Sequence, residues 1–241
     1  MHEHHIPMRW ADIDSLDHVN NVVYLAYAAE ARAAMVAGGD LADDLTAVSM
    51  TVRFVRPLRL GRRPVVVASE VDGDDVVQQI ALDGDSGRTV FAEVTTRMGE
   101  RTAAAPRDGV PTTPLSLRRD DLGPGGHASS AKVFELFQET RVVVLSSLLP
   151  ARTGGRFVVG TSSVTFRDDI RWSLEPLRAS AWISRVGNGS FEMRSELSDG
   201  RHVLAESTTI MVGFDPATQS SKAFDDAERQ QLRELVPVSA S

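Results

Sequence analysis

Two segments of this chain, 113 residues apart, are near copies. GRTVFAEVTTRM (87–98) and GRHVLAESTTIM (200–211) share eight identities in twelve positions. Unrelated segments share about one, given roughly 20 residue types. A shift of 109 carries Arg9, Asp12, His18, Glu30 and Arg32 onto Arg118, Asp121, His127, Glu139 and Arg141. A shift of 112 carries Val52, Phe54, Arg59 and Pro64 onto Val164, Phe166, Arg171 and Pro176. The drift in shift needs only small loop insertions, which loops tolerate. Two units, each far longer than a solenoid repeat, mean one fold used twice.

The join is visible in composition. Residues 101–113 are rich in Ala, Pro, Thr and Gly without apolar period, and read as a linker. The expected organisation is a first unit over 1–100, the linker over 101–113, a second unit over 114–216, and a C-terminal helix and tail over 217–241. In the last segment, AFDDAERQQLRELV (223–236) has apolar residues at helical spacing behind Asp225 and Asp226, which suits a helix start.

Within the first unit, residues 4–12 alternate loosely and predict a strand. NNVVYLAYAAEARAAMVA (20–37) holds no Gly or Pro and many Ala, which favours helix. Asn20 or Asn21 suits its N-cap, and Gly38 and Gly39 end it. The helix is apolar nearly all round, so it is expected to be buried. Four runs rich in Val, Thr, Ile and Phe follow at 48–58, 64–71, 76–83 and 88–98, joined by acidic Gly turns; they predict antiparallel hairpins. The second unit repeats the plan, with strands near 114–121, 157–168, 177–186, 190–198 and 201–214 and a helix over 129–149. The fold class is therefore α+β. Each unit is a long central helix wrapped by a five-stranded antiparallel sheet, and the open edges of two such sheets are expected to pair into one continuous sheet.

Composition narrows the function. The net charge of −7 leaves no global positive field for nucleic acid or an anionic membrane. No cysteine is present, which excludes thiolate chemistry and disulfides. No apolar run approaches the roughly 20 residues of a membrane span, and no apolar segment follows the start as in a signal peptide. A cytoplasmic, soluble protein is expected. His2, His4 and His5 lack a completed ligand set, so no metal site is expected and the start reads as a frayed, solvated terminus.

Chemistry concentrates in the turn Asp12-Ile-Asp14-Ser-Leu-Asp17-His18-Val-Asn20-Asn21. Asp12 and Asp14 are two apart and share a side of an extended segment. His18 follows Asp14 by four, within reach across a turn. The helix start at Asn20–Asn21 offers unpaired N–H groups at a positive dipole end. A carboxylate beside such donors can attack an acyl carbonyl, directly or through water, while the N–H groups hold the oxygen as it becomes negative. Asp, Ser and Asn before a helix also serve as plain caps. The second copy separates the two readings. Asp12 and His18 persist as Asp121 and His127, whereas Asp14, Asp17, Asn20 and Asn21 become Gly123, Gly126, Ser129 and Ser130. The residues lost from the copy are the ones a scaffold does not need, and among them Asp14 is read as functional rather than as a cap.

RWADIDSLDHVNNVVYLAYAAEAR (9–32) resembles the 4-hydroxybenzoyl-CoA thioesterase-like branch of the hotdog-fold superfamily and its acyl-ACP thioesterase relatives. Those families show a D-x-D turn, G-H-V-N-N, then Y-L and E-x-R on the helix. The second unit matches in frame only, so the whole is similar to a double-hotdog thioesterase. The resemblance implies a thioester hydrolase acting on acyl-CoA or acyl-ACP, without a cofactor. It implies Asp14 as nucleophile or general base, Asn20–Asn21 as the site of carbonyl polarisation, and a catalytic His18 as in the plant acyl-ACP branch. One departure stands out: the usual Gly before His is Asp17, whose carboxylate would raise the pKa of Asp14 or crowd the thioester. A non-catalytic acyl-thioester binder and a hotdog-type enoyl-CoA hydratase are the alternatives.

On the substrate side, Arg53, Arg56, Arg59, Arg62 and Arg63 crowd one stretch. Arg56 and Arg59 are the candidates for a carrier phosphate, through the bidentate guanidinium; a charged strand edge that blocks aggregation is the other reading. Tyr24 and Tyr27 are placed where an acyl chain would enter between the helices of the two units, or in the core. Whether the chain forms a homodimer is left open.

Overall fold

Hydrogen-bonding demand and alternation build the same sheet twice. In a computed structural model of the protein, residues 1–14, 17–43, 46–123, 125–149, 157–215, 217–218 and 220–237 are described. The chain divides into two compact units, Met1–Glu100 and Arg101–Ser241.

The first unit runs β1 (His2–Ile6), a 3-10 turn (Trp10–Asp12), α1 (Asn21–Gly38), β2 (Ala47–Phe54), β3 (Val65–Asp72), β4 (Asp75–Gly84) and β5 (Gly87–Met98). Its strand order is β1-β3-β4-β5-β2, antiparallel throughout. The registers Asp72↔Asp75 and Gly84↔Gly87 close two-residue hairpin loops, as the acidic Gly turns require. Alternate residues Val76, Gln78 and Ile80 of β4, and Ala92, Val94 and Thr96 of β5, are buried. α1 lies across β1, β3, β4 and β5 and buries Tyr24, Leu25, Tyr27, Ala28, Ala31, Arg32 and Met35. Each large apolar side chain on that face contributes about 1.5–3 kcal/mol.

One buried residue there is charged. The Arg32 guanidinium donates to Gln78 Oε1 (2.7 Å) and Thr96 Oγ1 (3.1 Å), and Gln78 Nε2 donates to Ala28 O and Ser69 Oγ. Burial lowers the arginine pKa to about 10. The network ties α1 to three strands through groups that would otherwise be unsatisfied.

The second unit repeats the order: β6 (Thr112–Leu115), a 3-10 turn (Arg119–Asp121), α2 (Ser130–Leu148), β7 (Phe157–Phe166), β8 (Leu177–Val186), β9 (Ser190–Ser198) and β10 (Val203–Asp215). Its strands lie in the order β6-β8-β9-β10-β7, the counterpart of the first unit strand for strand. A short strand at Ser220–Ser221 pairs with β10, and α3 (Asp226–Glu234) follows, capped by Asp225 and Glu228. Phe224 and Leu232 pack with Ile183, Phe191, Met193 and Met211, so this extra helix closes one end of the second core. Residues 238–241 of the expected tail lie outside the described residues.

Two local expectations are corrected. The first strand is His2–Ile6, not 4–12, and its counterpart is Thr112–Leu115, not 114–121; in both units the polar end turns into 3-10 helix because Asp12 and Asp121 cap it from within. The start of the chain is also no frayed terminus. β1 pairs with β3 over five residues, and His2 Nδ1 lies 3.0 Å from Asp40 Oδ2. Alternation in HEHHI supplies a strand whose backbone the sheet edge then satisfies. Among the described residues no group of His, Asp or Glu could hold a metal ion, and no helix is long and apolar enough to cross a membrane.

Candidate active site

The frame of the site is the turn that carries β1 into α1. Arg9 N–H donates to Asp12 Oδ2 (2.7 Å) and Asp12 N–H to Arg9 O (3.0 Å). The same Oδ2 receives the Tyr27 hydroxyl at 2.6 Å, and Asp12 O receives the Asn20 N–H. Asp12 therefore locks turn to helix. Arg118 and Asp121 repeat the closure at 2.7 and 3.1 Å. There Leu136 replaces Tyr27, and Lys132 Nζ takes up Asp121 Oδ1 at 3.3 Å instead.

Inside this frame Asp14 and His18 meet. Asp14 N–H donates to His18 O (2.8 Å), and His18 N–H reaches Asp14 Oδ1 at 3.3 Å. Asp17 N–H closes the turn onto Asp14 O (3.2 Å). Both Asp14 and His18 are half-buried. The Nε2 of His18 is buried and has no hydrogen-bond partner among the described residues, a condition that costs about 1–3 kcal/mol unless something fills it. In the second unit His127 instead holds Gly125 O through Nδ1 at 3.1 Å, and Gly123 leaves no carboxylate.

Asp17 has φ +61°, and Gly126 in the copy has φ +74°. The position needs the left-handed region, which glycine enters freely and aspartate more readily than most residues. The backbone explains the usual glycine here. Asp17 is exposed, so its charge is screened by solvent.

α1 begins as its caps dictate. Asn20 is the N-cap and its side chain accepts the Val22 N–H (3.2 Å), while its carbonyl accepts the Val23 N–H. Asn21 is the first helical residue, and its N–H has no acceptor among the described residues. A free donor at the positive end of an 18-residue helix suits a developing oxyanion.

Tyr24 and Tyr27 sit in the core. The Tyr24 hydroxyl accepts the Leu58 N–H (3.1 Å), and its ring meets Phe54 edge-on at 5.4 Å. Burial, with the nearby Asp14 charge adding to it, raises the Tyr24 pKa to about 12. Burial and the Asp12 carboxylate raise that of Tyr27 still further. Both hydroxyls are committed within the unit. Leu58 O in turn accepts the Val19 N–H (2.8 Å), so the arginine-rich loop 55–64 is pinned to the turn before α1.

That loop sorts its cations. Arg53 pairs with Glu93, and Arg63 bonds Asp83 O and Asp85. Arg56, Arg59 and Arg62 are exposed and have no ion-pair partner among the described residues. Arg62 was named in the arginine-rich stretch but not singled out from it. Comparing the copies, which singled out Asp14, would have found it, since Arg62 becomes Leu174.

Known families match both units. The model of the acyl-ACP thioesterase C-terminal domain matches residues 1–97, and that of the thioesterase superfamily matches residues 125–206. The chain thus carries a thioesterase match in each of its two units. It is a thioester hydrolase of the hotdog fold, and its motif-bearing first unit is the half that matches a domain described as C-terminal in the acyl-ACP thioesterases. No curated protein sequence matches this thioesterase. Solved structures do. A Lactobacillus plantarum protein, provisionally named an oleoyl thioesterase, is 14% identical over 88% of this chain and 95% of its own, with a TM-score of 0.64. The 12:0-ACP thioesterase of Umbellularia californica is 10% identical over 88% of this chain and 93% of its own, with a TM-score of 0.60. An acyl-ACP thioesterase of Bacteroides thetaiotaomicron is 10% identical, covering 87% and 96%, with a TM-score of 0.59. At these identities the likeness shows the fold.

Proposed function

We propose that this thioesterase is a double hotdog that hydrolyses acyl-CoA or acyl-ACP in its first unit, with Asp14 as the reacting carboxylate. Residues 1–100 form the working hotdog, residues 114–216 a degenerate one, and 217–241 an addition to it. The observation that carries the reading is the hydrogen-bonded turn in which Asp14 and His18 meet just before α1, with the carboxylate replaced by Gly123 in the copy.

The thioester carbonyl oxygen approaches the start of α1, where the Asn21 N–H and the helix dipole stabilise negative charge, and Asn20 holds the cap in shape. Asp14 either adds to the carbonyl carbon or removes a proton from an attacking water. In the first path the thiolate leaves from a tetrahedral intermediate and water then cleaves the mixed anhydride. In the second the hydroxide adds, the thiolate leaves, and the proton held by Asp14 passes to sulfur. The unpartnered Nε2 of His18 supplies a hydrogen bond to water or to the leaving group. Tyr24 and Tyr27 support the site from the core side, and Arg56 and Arg59 meet the anionic carrier.

Thiol release from a panel of acyl-CoAs and acyl carrier proteins tests this. Asp14→Asn should lower kcat/KM by about 10³-fold or more with an unchanged circular dichroism spectrum. Tight acyl-thioester binding by the wild type without turnover would overturn it.

A further inference from the structure

The buried arginine network of the first unit has a counterpart that has lost its acceptors. A shift of 109 carries Arg32 onto Arg141, and a shift of 113 carries Val94 and Thr96 onto Ser207 and Thr209. Gln78 stands opposite Val94 across β4 and β5, and Ser195 stands opposite Ser207 across β9 and β10. Ser195 therefore holds the place of the Gln78 amide, with a side chain too short to repeat its bonds.

This leaves unmatched polar groups on one face of the second sheet. Ser207 and Thr209 alternate with the same face as Ala205 and Met211, and Ser195 shares the face of Phe191, Met193 and Leu197; all are buried. Phe191, Met193 and Met211 belong to the core packed by Val144 and Leu145 of α2, so the face is the one turned to the helix. Burial lowers the pKa of the Arg141 guanidinium to about 10, as it does for Arg32. Arg32 donates to Gln78 and Thr96. Arg141 has no hydrogen bond or ion pair among the described residues. Thr209 shares its hydroxyl with Ser162 instead, at 3.1 Å. Ser207 is 4% exposed and its Oγ has no partner among the described residues; Ser195 is 6% exposed and its hydroxyl has none either. A cation withdrawn from water without an acceptor is costly, and idle buried hydroxyls add to that cost.

We propose that Arg141, with the hydroxyls of Ser195 and Ser207, forms a binding site for a carboxylate in the core of the second unit. The guanidinium fork matches the two oxygens of a carboxylate, and each hydroxyl has a proton to donate to them. One positive charge neutralises a carboxylate and leaves a phosphate dianion in excess. Water would occupy the donors but leave the cation unpaired. Arg141 is half-buried, which keeps the site in reach of solvent. A small acid and the head of a fatty acid present the same group to it. Neither Asp14 nor His18 takes part, so the site stands apart from the proposed hydrolysis.

The test is calorimetric titration of the full chain with acetate and with octanoate in a buffer free of chloride and phosphate. The wild type should bind at least one of them. Tighter binding of octanoate assigns the head of a fatty acid, and equal or tighter binding of acetate a small acid. Arg141→Met, which removes two charge-assisted bonds, should weaken binding by about a hundredfold or more. Ser207→Val, which restores the residue of the first unit, should weaken it by about tenfold and keeps the test readable should Arg141→Met fold poorly. Without ligand, Arg141→Met should melt no lower than the wild type, since it deletes an unpaired charge. No binding of either acid by the wild type, which would leave the site to water, overturns the proposal. So does binding indifferent to both variants, as of a reaction product held at Asp14, or equal binding of chloride or inorganic phosphate.

Discussion

The Tyr27 hydroxyl donates to Asp12 Oδ2 across 2.6 Å, on the same oxygen that caps the Arg9 N–H at 2.7 Å. One side chain of α1 thereby fixes the turn that ends β1, fifteen residues upstream. Tyr27→Phe keeps the ring and leaves a half-buried carboxylate oxygen short of a donor. It should lower stability by about 1–2 kcal/mol in urea unfolding, while kcat/KM falls far less than in Asp14→Asn. Equal losses in both variants would place Asp12 in the chemistry rather than in the frame.

His18 separates packing from catalysis. Its Nε2 is buried without a partner among the described residues, so His18→Phe removes a polar atom for which those residues offer no hydrogen bond. The melting temperature should change little, and kcat/KM should fall by about 10²–10⁴-fold, the usual worth of a positioned acid or base. A large drop in melting temperature with activity retained would make His18 a structural residue like His127.

Asp17 tests the backbone explanation for the glycine it replaces. Asp17→Gly relieves the left-handed φ but frees the unfolded chain, so stability should stay within about 1 kcal/mol of the wild type. Asp17→Val should lose about 1–2 kcal/mol or more, because a β-branched residue is strained at φ +61°. Differential scanning calorimetry on the two variants reads the contrast directly. Similar values for Gly and Val would mean the turn does not depend on that conformation.

Part of the alkaline loss of stability follows from Tyr24. Its folded pKa is raised to about 12, first by burial, against roughly 10 in an unfolded chain. A raised folded value means that the folded state keeps the proton while the unfolded state loses it. The stabilising difference is complete below pH 10 and disappears as pH rises through about 12. Stability should therefore fall by up to about 1.4 kcal/mol per pH unit across that window on this residue's account. Urea midpoints of the wild type and Tyr24→Phe at pH 9 and pH 11 should show a shallower decline in the variant. Parallel declines would mean that Tyr24 does not govern the window.

Much of the fold was legible because its signals are local. The helix expected over 20–37 is Asn21–Gly38, and runs expected at 64–71, 76–83 and 88–98 are strands at Val65–Asp72, Asp75–Gly84 and Gly87–Met98. Helical composition, β-branched alternation and turn residues act over a few neighbours, so the chain states them directly. Where capping competed with alternation, at Arg9–Asp12, the reading extended the strand too far. Of the candidate site, the nearness of Asp14, His18 and the helix start was readable from spacing alone. The partners of Asp12, Tyr24 and each arginine were not, since they lie 15 to 40 residues away and depend on strand register.

The sequence by itself determined that one unit of helix and antiparallel strands occurs twice, and that only the first copy carries a carboxylate at Asp14. Repetition and substitution are properties of order along the chain and need no coordinates. Tertiary structure alone decided that Asp17 occupies a glycine conformation and that, among the described residues, His18 keeps a buried nitrogen unmatched and Arg56, Arg59 and Arg62 stay unneutralised while Arg53 and Arg63 do not. Each of these depends on which distant groups the sheet register brings within about 3 Å, the range over which a hydrogen bond or ion pair forms.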